Sequence, residues 1–475
     1  MSKLQKQFLT IGIIFVLCIA LGIVYFVATK SDTEDNTVVE VRDEFGVLMD
    51  GDKHFILDPI EVSDIKKIHV HNLDDDYTLL QKTGGAWAFE GVSGFELVGE
   101  KVPALRTDTR FLKARELVKT ADLKNLSKYG IDKNNPSVYF DVEHKGGEYR
   151  IIVGDKTPDD KGYYAVLEGR DALYILPDSL QETVLRSLNE YISPIIYDKI
   201  ETAESGALEN LSLYRGSDLF VRIDSVKDAL TYGNFSSYRV SHPVNNHATS
   251  YGLFESVLDT LSKLVCTKTV AFGSALTEEK LAELGFVKSD DEHTCDYTLN
   301  LNYPKQKISL HIKTLEEEYL IWSEHKNIVV TADKESFKFL DWELISWVSP
   351  EIYMLDIFSV STMELTTPKT SVTFSFSGED DISIKAGETP IDAEAFKMVY
   401  KELMNLVVTD WAEEPEASDE LMRLVVTLES GEVLDYRFVS ATAVNSFYSL
   451  NGEGRFFVER QKLMALREKL EGFAQ

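Results

Sequence analysis

Short sequence landmarks recur in a fixed order along this chain of 475 residues. The heptapeptide YISPIIY at 191–197 returns as WVSPEIY at 347–353, with its aromatic first residue, Ser-Pro pair and final Ile-Tyr retained. A second landmark occurs three times, as LVKT at 117–120, LVCT at 264–267 and LVVT at 406–409. Because a repeated sequence indicates a repeated structural unit, we predict three related units in the chain.

The sequence around each Leu-Val landmark follows one plan. Strand-like alternation of apolar and polar residues precedes a helical pattern, and further alternating segments with hairpin loops follow it. A second helix is predicted to close each unit, with apolar residues at Leu180, Val184 and Leu188, at Phe337, Leu340, Leu344 and Val348, and at Leu463, Leu466, Leu470 and Phe473. We therefore predict an α+β fold, with units at 46–200, 201–356 and 357–475, each an antiparallel β-sheet with two helices.

The Ser-Pro pairs follow the predicted closing helices of the first and second units. Proline cannot continue a helix and favours an extended conformation in the residue before it. The Ile-Tyr that follows then begins the path into the next unit. We therefore interpret 191–197 and 347–353 as joints between units, and not as active sites built on Ser193 or Ser349.

The N-terminal segment 8–28 carries no charge and is long enough to span a bilayer as a helix. Lys3 and Lys6 precede it, and a positive flank is expected to stay in the cytoplasm. The segment does not have the short apolar core and small-residue cleavage site of a signal peptide. We predict a cytoplasmic tail at 1–7, a single-pass transmembrane anchor at 8–28, a linker at 29–45 and an extracytoplasmic location for the rest.

The charge of the chain limits the class of partner, and its cysteines raise the question of a disulfide. The chain has 79 acidic and 49 basic residues, a net charge of −30. Such a surface repels nucleic acid, so no nucleic-acid partner is expected. Cys266 and Cys295 are the cysteines beyond the N-terminal segment. An extracytoplasmic location permits a disulfide between them, and two buried free thiols explain the sequence equally well.

Candidate metal ligands are few. His69 and His71 lie two apart on a predicted strand and so share one face, where His54 could join them around a metal ion. A solvated strand face is the simpler explanation. Residues 74–76 are three aspartates in a predicted hairpin turn, but the order of an EF-hand calcium loop does not follow them. We interpret them as an acidic turn.

Catalytic motifs such as G-x-S-x-G, H-E-x-x-H, a Walker loop and C-x-x-C do not occur in the sequence. Ser241 beside His242, with His247 close behind, suggests a nucleophile and base, yet no residue is marked to orient the imidazole. A loop and helix-cap role fits these residues better. Residues 154–157, GDKT, do not have the second glycine and following helix of a phosphate site and are predicted to form a turn.

Aromatic residues recur at the start of the fourth strand of each unit. They are Tyr163 and Tyr164, Trp322, and Phe447 and Tyr448. Core packing explains them, and a shared binding groove is the alternative. No catalytic, cofactor-binding or metal-binding residue and no cofactor is predicted, and the chain is expected not to be an enzyme.

The first unit resembles the bacterial family known as domain of unknown function 4340. The resemblance rests on YGI at 129–131 followed by Pro136, on IVGD at 152–155, on GYY at 162–164 and on LYI at 173–175. It is good over 46–200 and weaker beyond, where LGF at 284–286 is a softened form of the first motif and the third unit has none.

The resemblance implies a function, because members of this family are often encoded beside ABC transporter components of the gliding-motility type. It implies a membrane-anchored extracytoplasmic accessory protein whose partners are the permease, the ATPase and the auxiliary protein of such a transporter. The resemblance supplies no catalytic residues. The alternatives are a cell-envelope hydrolase acting in a cleft between units, and an extracellular module that binds a sugar or peptide.

Overall fold

The computed structural model describes most of the chain beyond the N-terminal segment. The described residues are 40–51, 53–199, 207–226, 237–244, 247–286, 295–378, 381–412 and 419–474. The predicted tail, the predicted anchor at 8–28 and most of the linker at 29–45 lie outside them. Among the helices of the described residues, none combines the length and the apolar character needed to cross a membrane.

The described residues form two compact units. Unit 1 takes its residues from Met1–Gly91 and Gly99–Ser187, and unit 2 takes its residues from Val92–Val98 and Leu188–Gln475. Unit 1 holds one large sheet, named sheet 1, and a two-stranded hairpin. Unit 2 holds two large sheets, named sheet 2 and sheet 3.

Unit 1 is built on antiparallel strands throughout. The hairpin pairs β1 Met49–Asp50 with β2 Lys53–His54. The strands of sheet 1 are β3 Ile65–His71, β4 Asp76–Gln81, β5 Trp87–Phe89, β6 Glu116–Leu117, β7 Tyr139–His144, β8 Gly147–Lys156, β9 Gly162–Leu167 and β10 Tyr174–Pro177. They lie in the order β5-β4-β3-β7-β8-β9-β10-β6.

The two sheets of unit 2 have nine antiparallel strands each. Sheet 2 contains β11 Asn210–Arg215, β12 Asp218–Ser225, β13 Tyr238–His242, β14 His247–Ala248, β15 Lys268–Phe272, β16 Tyr297–Asn302, β17 Lys307–Thr314, β18 Glu318–Ser323 and β19 Ile328–Asp333. Sheet 3 contains β20 Val360–Thr366, β21 Ser371–Ser377, β22 Ser383–Ala386, β23 Thr389–Pro390, β24 Val408–Trp411, β25 Glu420–Leu428, β26 Val433–Ser440, β27 Asn445–Leu450 and β28 Glu453–Glu459.

The three large sheets share one strand order. Sheet 2 runs β14-β13-β12-β11-β16-β17-β18-β19-β15, and sheet 3 runs β23-β22-β21-β20-β25-β26-β27-β28-β24. In each sheet a helix carries the chain from one edge strand to the strand at the opposite edge. These helices are α1 Lys101–Arg110, α2 Tyr251–Ser262 and α5 Ala393–Met404. The remaining α-helices are α3 Glu278–Glu283, α4 Leu344–Trp347 and α6 Arg460–Gly472.

The predicted α+β class is wrong, because the described part of the chain is mainly β-sheet. The predicted pair of helices in each unit is not found in sheet 1, where α1 ends at Arg110 and does not continue to Leu117, which lies in β6. Only the third predicted closing helix is a long α-helix, α6. The first is replaced by two 3₁₀ turns, Asp178–Glu182 and Leu188–Tyr191.

The physical reason is that spaced apolar residues do not by themselves require a continuous helix. Thr183, with φ −135° and ψ −93°, interrupts the first predicted closing helix, yet Leu180 and Val184 are still buried. Phe337, with φ −127° and ψ 19°, interrupts the second, which becomes a 3₁₀ segment at Lys334–Asp341 followed by the short α4. Packing against the sheet therefore outweighs the helical pattern, since short turns bury the same side chains.

Sheets 2 and 3 share one continuous hydrophobic core in unit 2. Trp347 and Tyr353 of the second Ser-Pro landmark are fully buried in it. The core also contains Phe254 on α2 and Phe396 on α5. The predicted boundaries at 200/201 and 356/357 fall between the strands of successive sheets. Sheets 2 and 3 nevertheless lie in one compact unit, so the division into three units stays a prediction.

The segment 347–353 lies between an edge of sheet 2 and an edge of sheet 3. On one side, the N–H of Ser349 donates to the carbonyl of Ala248 at 2.7 Å, and the N–H of Ser250 donates to Trp347 at 3.1 Å. On the other side, the N–H of Val408, at the start of β24, donates to the carbonyl of Pro350 at 2.7 Å. The segment is therefore held by main-chain hydrogen bonds on both flanks.

The segment 191–197 repeats the first half of this geometry within unit 2. The N–H of Ser193 donates to Glu96 at 2.8 Å, and the N–H of Val98 donates to Tyr191 at 2.9 Å. Antiparallel bridges then pair Ile192 with Leu97 here and Val348 with Thr249 in the later segment. Both landmarks thus use the same two backbone groups, the carbonyl of the aromatic residue and the N–H of the serine.

Candidate functional site

The histidines predicted as possible metal ligands lie in two different places in unit 1. His54 in β2 is 3.2 Å from Asp43, through Nδ1 and Oδ2. His69 and His71 share one face of β3, where both contact Asp76, at 2.9 and 3.0 Å. No group of three or more metal-ligating side chains arranged to hold an ion occurs among the described residues.

The face of sheet 1 around His69 is an ion-pair network across neighbouring strands. His69 Nδ1 is 3.3 Å from Asp141, which also accepts two hydrogen bonds from Arg150, at 2.6 and 2.8 Å. Burial alone would raise the pKa of Asp141, but the hydrogen bonds from Arg150 and His69 outweigh burial and lower it. The Arg150 guanidinium also lies 4.4 Å above the ring of Tyr139. These groups hold one another in place across β3, β7 and β8.

The acidic turn at 74–76 is stabilised by an asparagine side chain that was not among the candidate residues from the sequence. Asn72, which is buried, accepts hydrogen bonds from the N–H groups of Asp74 and Asp75 at 3.0 and 2.9 Å. Its amide group donates to the carbonyls of Val184 and Arg186. The side chain of Asn72 therefore stabilises the turn by accepting hydrogen bonds from its backbone.

The hydroxyl group of Ser241 forms a hydrogen bond with a carboxylate in sheet 2. Its hydroxyl donates to Asp224, and Arg222 donates to the same carboxylate at 3.0 Å. The two hydrogen bonds lower the pKa of Asp224 against the opposing effect of its burial. The hydroxyl proton is thus directed to Asp224, so the structure does not pair Ser241 with a histidine as a nucleophile and base would require.

The recurrent aromatic residues have different surroundings. Trp322 is buried and stacks on His311, with ring centroids 4.8 Å apart. Tyr164 is half-buried against Tyr129, and the ring of Phe447 meets Phe457 edge to face. Tyr448 is buried and lines a cavity in unit 2.

That cavity, of about 310 Å³, lies between the β13–β14 edge of sheet 2 and strands β26 to β28 of sheet 3. Its polar lining includes one guanidinium, one imidazole and two phenols, from Arg239, His247, Tyr436 and Tyr448. Glu351 and Ile352 of the second Ser-Pro landmark complete one wall. The cavity is therefore formed where the two sheets meet within one unit.

His247 is the one catalytic candidate from the sequence that lies in this cavity. Its ring packs edge to face on Phe456, with centroids 4.7 Å apart. Burial and the nearby Arg239 lower the pKa of His247 to about 4, although its contact with the carbonyl of Ala248 acts the other way. The imidazole is therefore neutral at pH 7. Since Nδ1 lies 3.2 Å from that carbonyl, it carries the proton and leaves Nε2 as an acceptor.

Arg239 supplies positive charge to the cavity from an almost fully buried position, with 3% of its surface exposed. Burial raises the pKa of Tyr436 and of Tyr448 well above the usual range, so both phenols stay protonated and can donate hydrogen bonds. Arg239 and the two phenols share the cavity with the carboxylates of Glu351 and Glu453. Sequence reasoning missed Arg239 and Tyr436, because each stands in an alternating strand that indicates burial but not the cavity.

One of the comparisons with known proteins found a match, to a family model that covers less than half of the chain. Residues 87–289 match the family model described as domain of unknown function (DUF4340). These residues belong to the DUF4340 family. The match begins at β5 and extends past α3, so it starts later and reaches further into the chain than the resemblance at 46–200. No curated protein and no solved structure shows significant similarity to the chain.

The DUF4340 motifs at 129–131 and 152–155 meet in unit 1. Gly130 ends a 3₁₀ turn with φ 71°, a conformation that favours glycine, and a Cβ there would lie 2.3 Å from Asp155. Ile131 and Ile152 share one small buried cluster. The GDKT stretch predicted as a turn instead contributes Gly154, Asp155 and Lys156 to the end of β8. These DUF4340 motifs therefore fasten a loop onto a strand.

Proposed function

We propose that this DUF4340 chain is a non-catalytic accessory protein of an ABC-type transport system. It would work outside the cytoplasm, held at the membrane by its uncharged segment 8–28. The permease, the ATPase and the auxiliary protein are its proposed partners, on the basis of the gene neighbourhood typical of the family. An anchored body stays near such a permease, so weak contacts between them are sufficient.

The observation that carries the proposal is the way in which unit 2 holds extended chain. The second Ser-Pro landmark is bound at an edge of sheet 2 through the N–H of Ser349, and the N–H of Ser193 makes the same kind of main-chain hydrogen bond to Glu96. A buried aliphatic residue lies beside each serine. Edge strands that bind extended polypeptide in this way are a common basis of protein–protein recognition. The fold is therefore suited to holding polypeptide segments of a partner.

The polar groups first considered for catalysis support the same proposal. Ser241 donates to Asp224, and His69 contacts Asp76 and Asp141. Each group is engaged within its own sheet in a way that stabilises strand pairing. These contacts stabilise the sheets, and we propose no acid–base role for the groups that make them.

Co-purification tests the proposal. The tagged full chain is expressed from its own locus, extracted in a mild detergent and analysed by mass spectrometry. We expect the permease, the ATPase and the auxiliary protein to be recovered in constant ratio. The matched control replaces Ile13 and Val16 by Arg within the uncharged segment, which should release the protein from membranes and abolish recovery. A monomeric wild-type protein without these subunits would contradict the proposal.

The cavity of unit 2 favours a second function, binding of a small carboxylate-containing ligand. Arg239, Tyr436 and Tyr448 would contact the carboxylate of such a ligand, and Glu351 and Glu453 of the same lining would select a ligand that also carries a positive or donor group. Isothermal titration of the full chain with a panel of amino acids, short peptides and neutral sugars tests it. Binding should be confined to the acids and fall at least about tenfold in Arg239→Lys, while Arg222→Lys on the exposed face of β12 retains it. Binding of the neutral sugars alone would contradict it.

A further inference from the structure

Sheet 3 has an edge that corresponds to the edge of sheet 2 occupied by the second Ser-Pro landmark. In sheet 2 the occupied edge is the chain from Ala248 to Ser250, which leads directly into α2. In sheet 3 the same place is taken by residues 390–392, which lead directly into α5. Ser250 and Asp392 are the N-cap residues of the two helices.

The hydrogen-bond register shows that the correspondence is residue by residue. Ala248 pairs with Arg239 across the hairpin, and Pro390 pairs with Lys385. The next residue donates its N–H inward in both sheets, from Thr249 to Tyr238 and from Ile391 to Ile384 at 3.0 Å. Pro390 therefore stands where Ala248 stands, Ile391 where Thr249 stands, and Asp392 where Ser250 stands.

Antiparallel strands direct the backbone groups of successive residues to alternate sides, so the groups that face outward at this edge follow from the register. Because the N–H of Ile391 points inward, the carbonyl of Pro390 and the N–H of Asp392 point outward. These are the two positions through which Ala248 and Ser250 hold the segment 347–349. Proline has no backbone N–H, but this does not prevent pairing with an added strand, since only the carbonyl is used at that position.

The edge at 390–392 is open in the described part of the chain. β23 is the last strand on its side of sheet 3, and Thr389, Pro390 and Asp392 are exposed. At the matching edge of sheet 2, Val348 is 1% exposed, so an extended segment covers the sheet there. An unpaired edge of this kind is a template for another strand.

We propose that residues 390–392 bind an extended segment of a partner protein, in the antiparallel direction. The segment would carry an aromatic residue, an aliphatic residue and Ser-Pro in succession. WVSP occupies the matching edge of sheet 2, YISP makes the same pair of main-chain hydrogen bonds with residues 96–98, and both are uncharged. The N–H of Asp392 donates to the carbonyl of the aromatic residue, and the N–H of the serine donates to the carbonyl of Pro390. The aliphatic residue lies opposite Ile391.

A labelled, end-blocked peptide with the sequence of residues 189–197, NEYISPIIY, tests the inference on the full chain in detergent. We expect saturable binding by fluorescence anisotropy. Asp392 has φ −64°, which proline adopts without strain, so Asp392→Pro removes the N–H while keeping the backbone. Because Asp392 also caps α5, Asp392→Ala is the matched control that loses the cap and keeps the N–H. Asp392→Pro should weaken binding at least about tenfold, and Asp392→Ala by less than about threefold.

A second comparison leaves the protein unaltered. N-methylation of the peptide at the serine blocks donation to Pro390, whereas N-methylation at the preceding isoleucine modifies a group that faces away from the edge. The first should weaken binding at least about tenfold and the second by less than about threefold. Hydrogen exchange should show protection confined to residues 389–393.

Several results would overturn the inference. They are no saturable binding of the parent peptide, equal effects of the two N-methyl groups, and protection at another part of the chain. Concentration-dependent dimerisation that Asp392→Pro abolishes would assign the edge to a second copy and reject the foreign partner. The inference deepens the proposed function, but the peptide assay contains no transporter subunit. Failure of the peptide-binding inference is therefore distinguishable from failure of the proposed role beside a transporter.

Discussion

A Cβ atom on Gly154 would lie 2.1 Å from the carbonyl oxygen of Tyr129. Gly154 therefore allows the close approach between β8 and the turn that ends at Gly130. Real Cβ atoms do not approach an oxygen so closely, so any larger residue must displace the backbone of one of the two segments.

We expect Gly154→Ala to destabilise the β8 region of unit 1 by about 2 kcal/mol, the usual cost of overpacking. Hydrogen exchange of the amides in β8 measures the effect within the full chain. Gly169→Ala is the matched control, because Gly169 has φ 80° but open space around it and tests conformational strain without a clash. Equal exchange in Gly154→Ala and the wild type would show that the close approach is not needed.

Trp347 is fully buried in the core of unit 2, close to Trp342 and Phe254. Trp347→Ala is expected to lower the free energy of unfolding by about 3–5 kcal/mol, because it leaves a large cavity. Urea denaturation followed by circular dichroism measures the change. Val444→Ala, at a position 67% exposed, should cost less than about 0.5 kcal/mol. A loss below about 1 kcal/mol for the tryptophan would contradict its place in the core.

His247 should make the stability of unit 2 depend on pH. Its pKa is lowered to about 4 in the folded chain, against about 6.5 when unfolded. The unfolded state therefore binds more protons between these values. The contribution is fully present above pH 6.5 and is lost as pH falls toward 4, by at most about 1.4 kcal/mol per pH unit.

Urea denaturation between pH 7 and pH 5 checks this dependence, since that range lies above the titration of most carboxylates. His247→Gln should remove most of the fall in stability. His325→Gln, at an exposed position, should leave it in place. The same slope in wild type and His247→Gln would show that the folded chain does not lower the pKa of this imidazole.

Cys266 and Cys295 are free, buried thiols in the structure, which decides between the two alternatives that the sequence left open. Burial raises the pKa of Cys266 to about 12, so the reactive thiolate is scarce. Iodoacetamide at pH 8 should leave both residues unmodified in the native chain and label both in urea, as shown by peptide mapping. A disulfide-linked peptide pair, or labelling of the native chain, would contradict the structure.

Part of the fold could be read directly from local sequence. Alternation of apolar and polar residues located most strands, since a half-buried strand requires a period of two. β17 has this alternation in both sequence and burial. The helices α2 and α5 were also predictable, because Phe254 and Phe396 begin apolar stripes with helical spacing. The first and second predicted closing helices were wrong, because short helical turns interrupted at Thr183 and Phe337 bury the same residues.

The candidate site could not be predicted in this way. His247 was noticed as a histidine in a polar loop, but its neighbours Arg239 and Tyr436 are almost two hundred residues apart in the chain. They meet only because the edge of sheet 2 packs against sheet 3. A cavity between two sheets is a property of their packing, and no local pattern in either strand encodes it.

The sequence by itself indicated where most strands run and that landmarks recur in a fixed order, while the unit boundaries at the Ser-Pro segments stay a prediction. Those properties depend on neighbouring residues and on simple periods. Only the tertiary structure decided the strand order, the replacement of closing helices by turns, and the main-chain partners of Ser193 and Ser349. These depend on which surfaces meet, and backbone hydrogen bonds at a sheet edge carry no side-chain signature in the sequence.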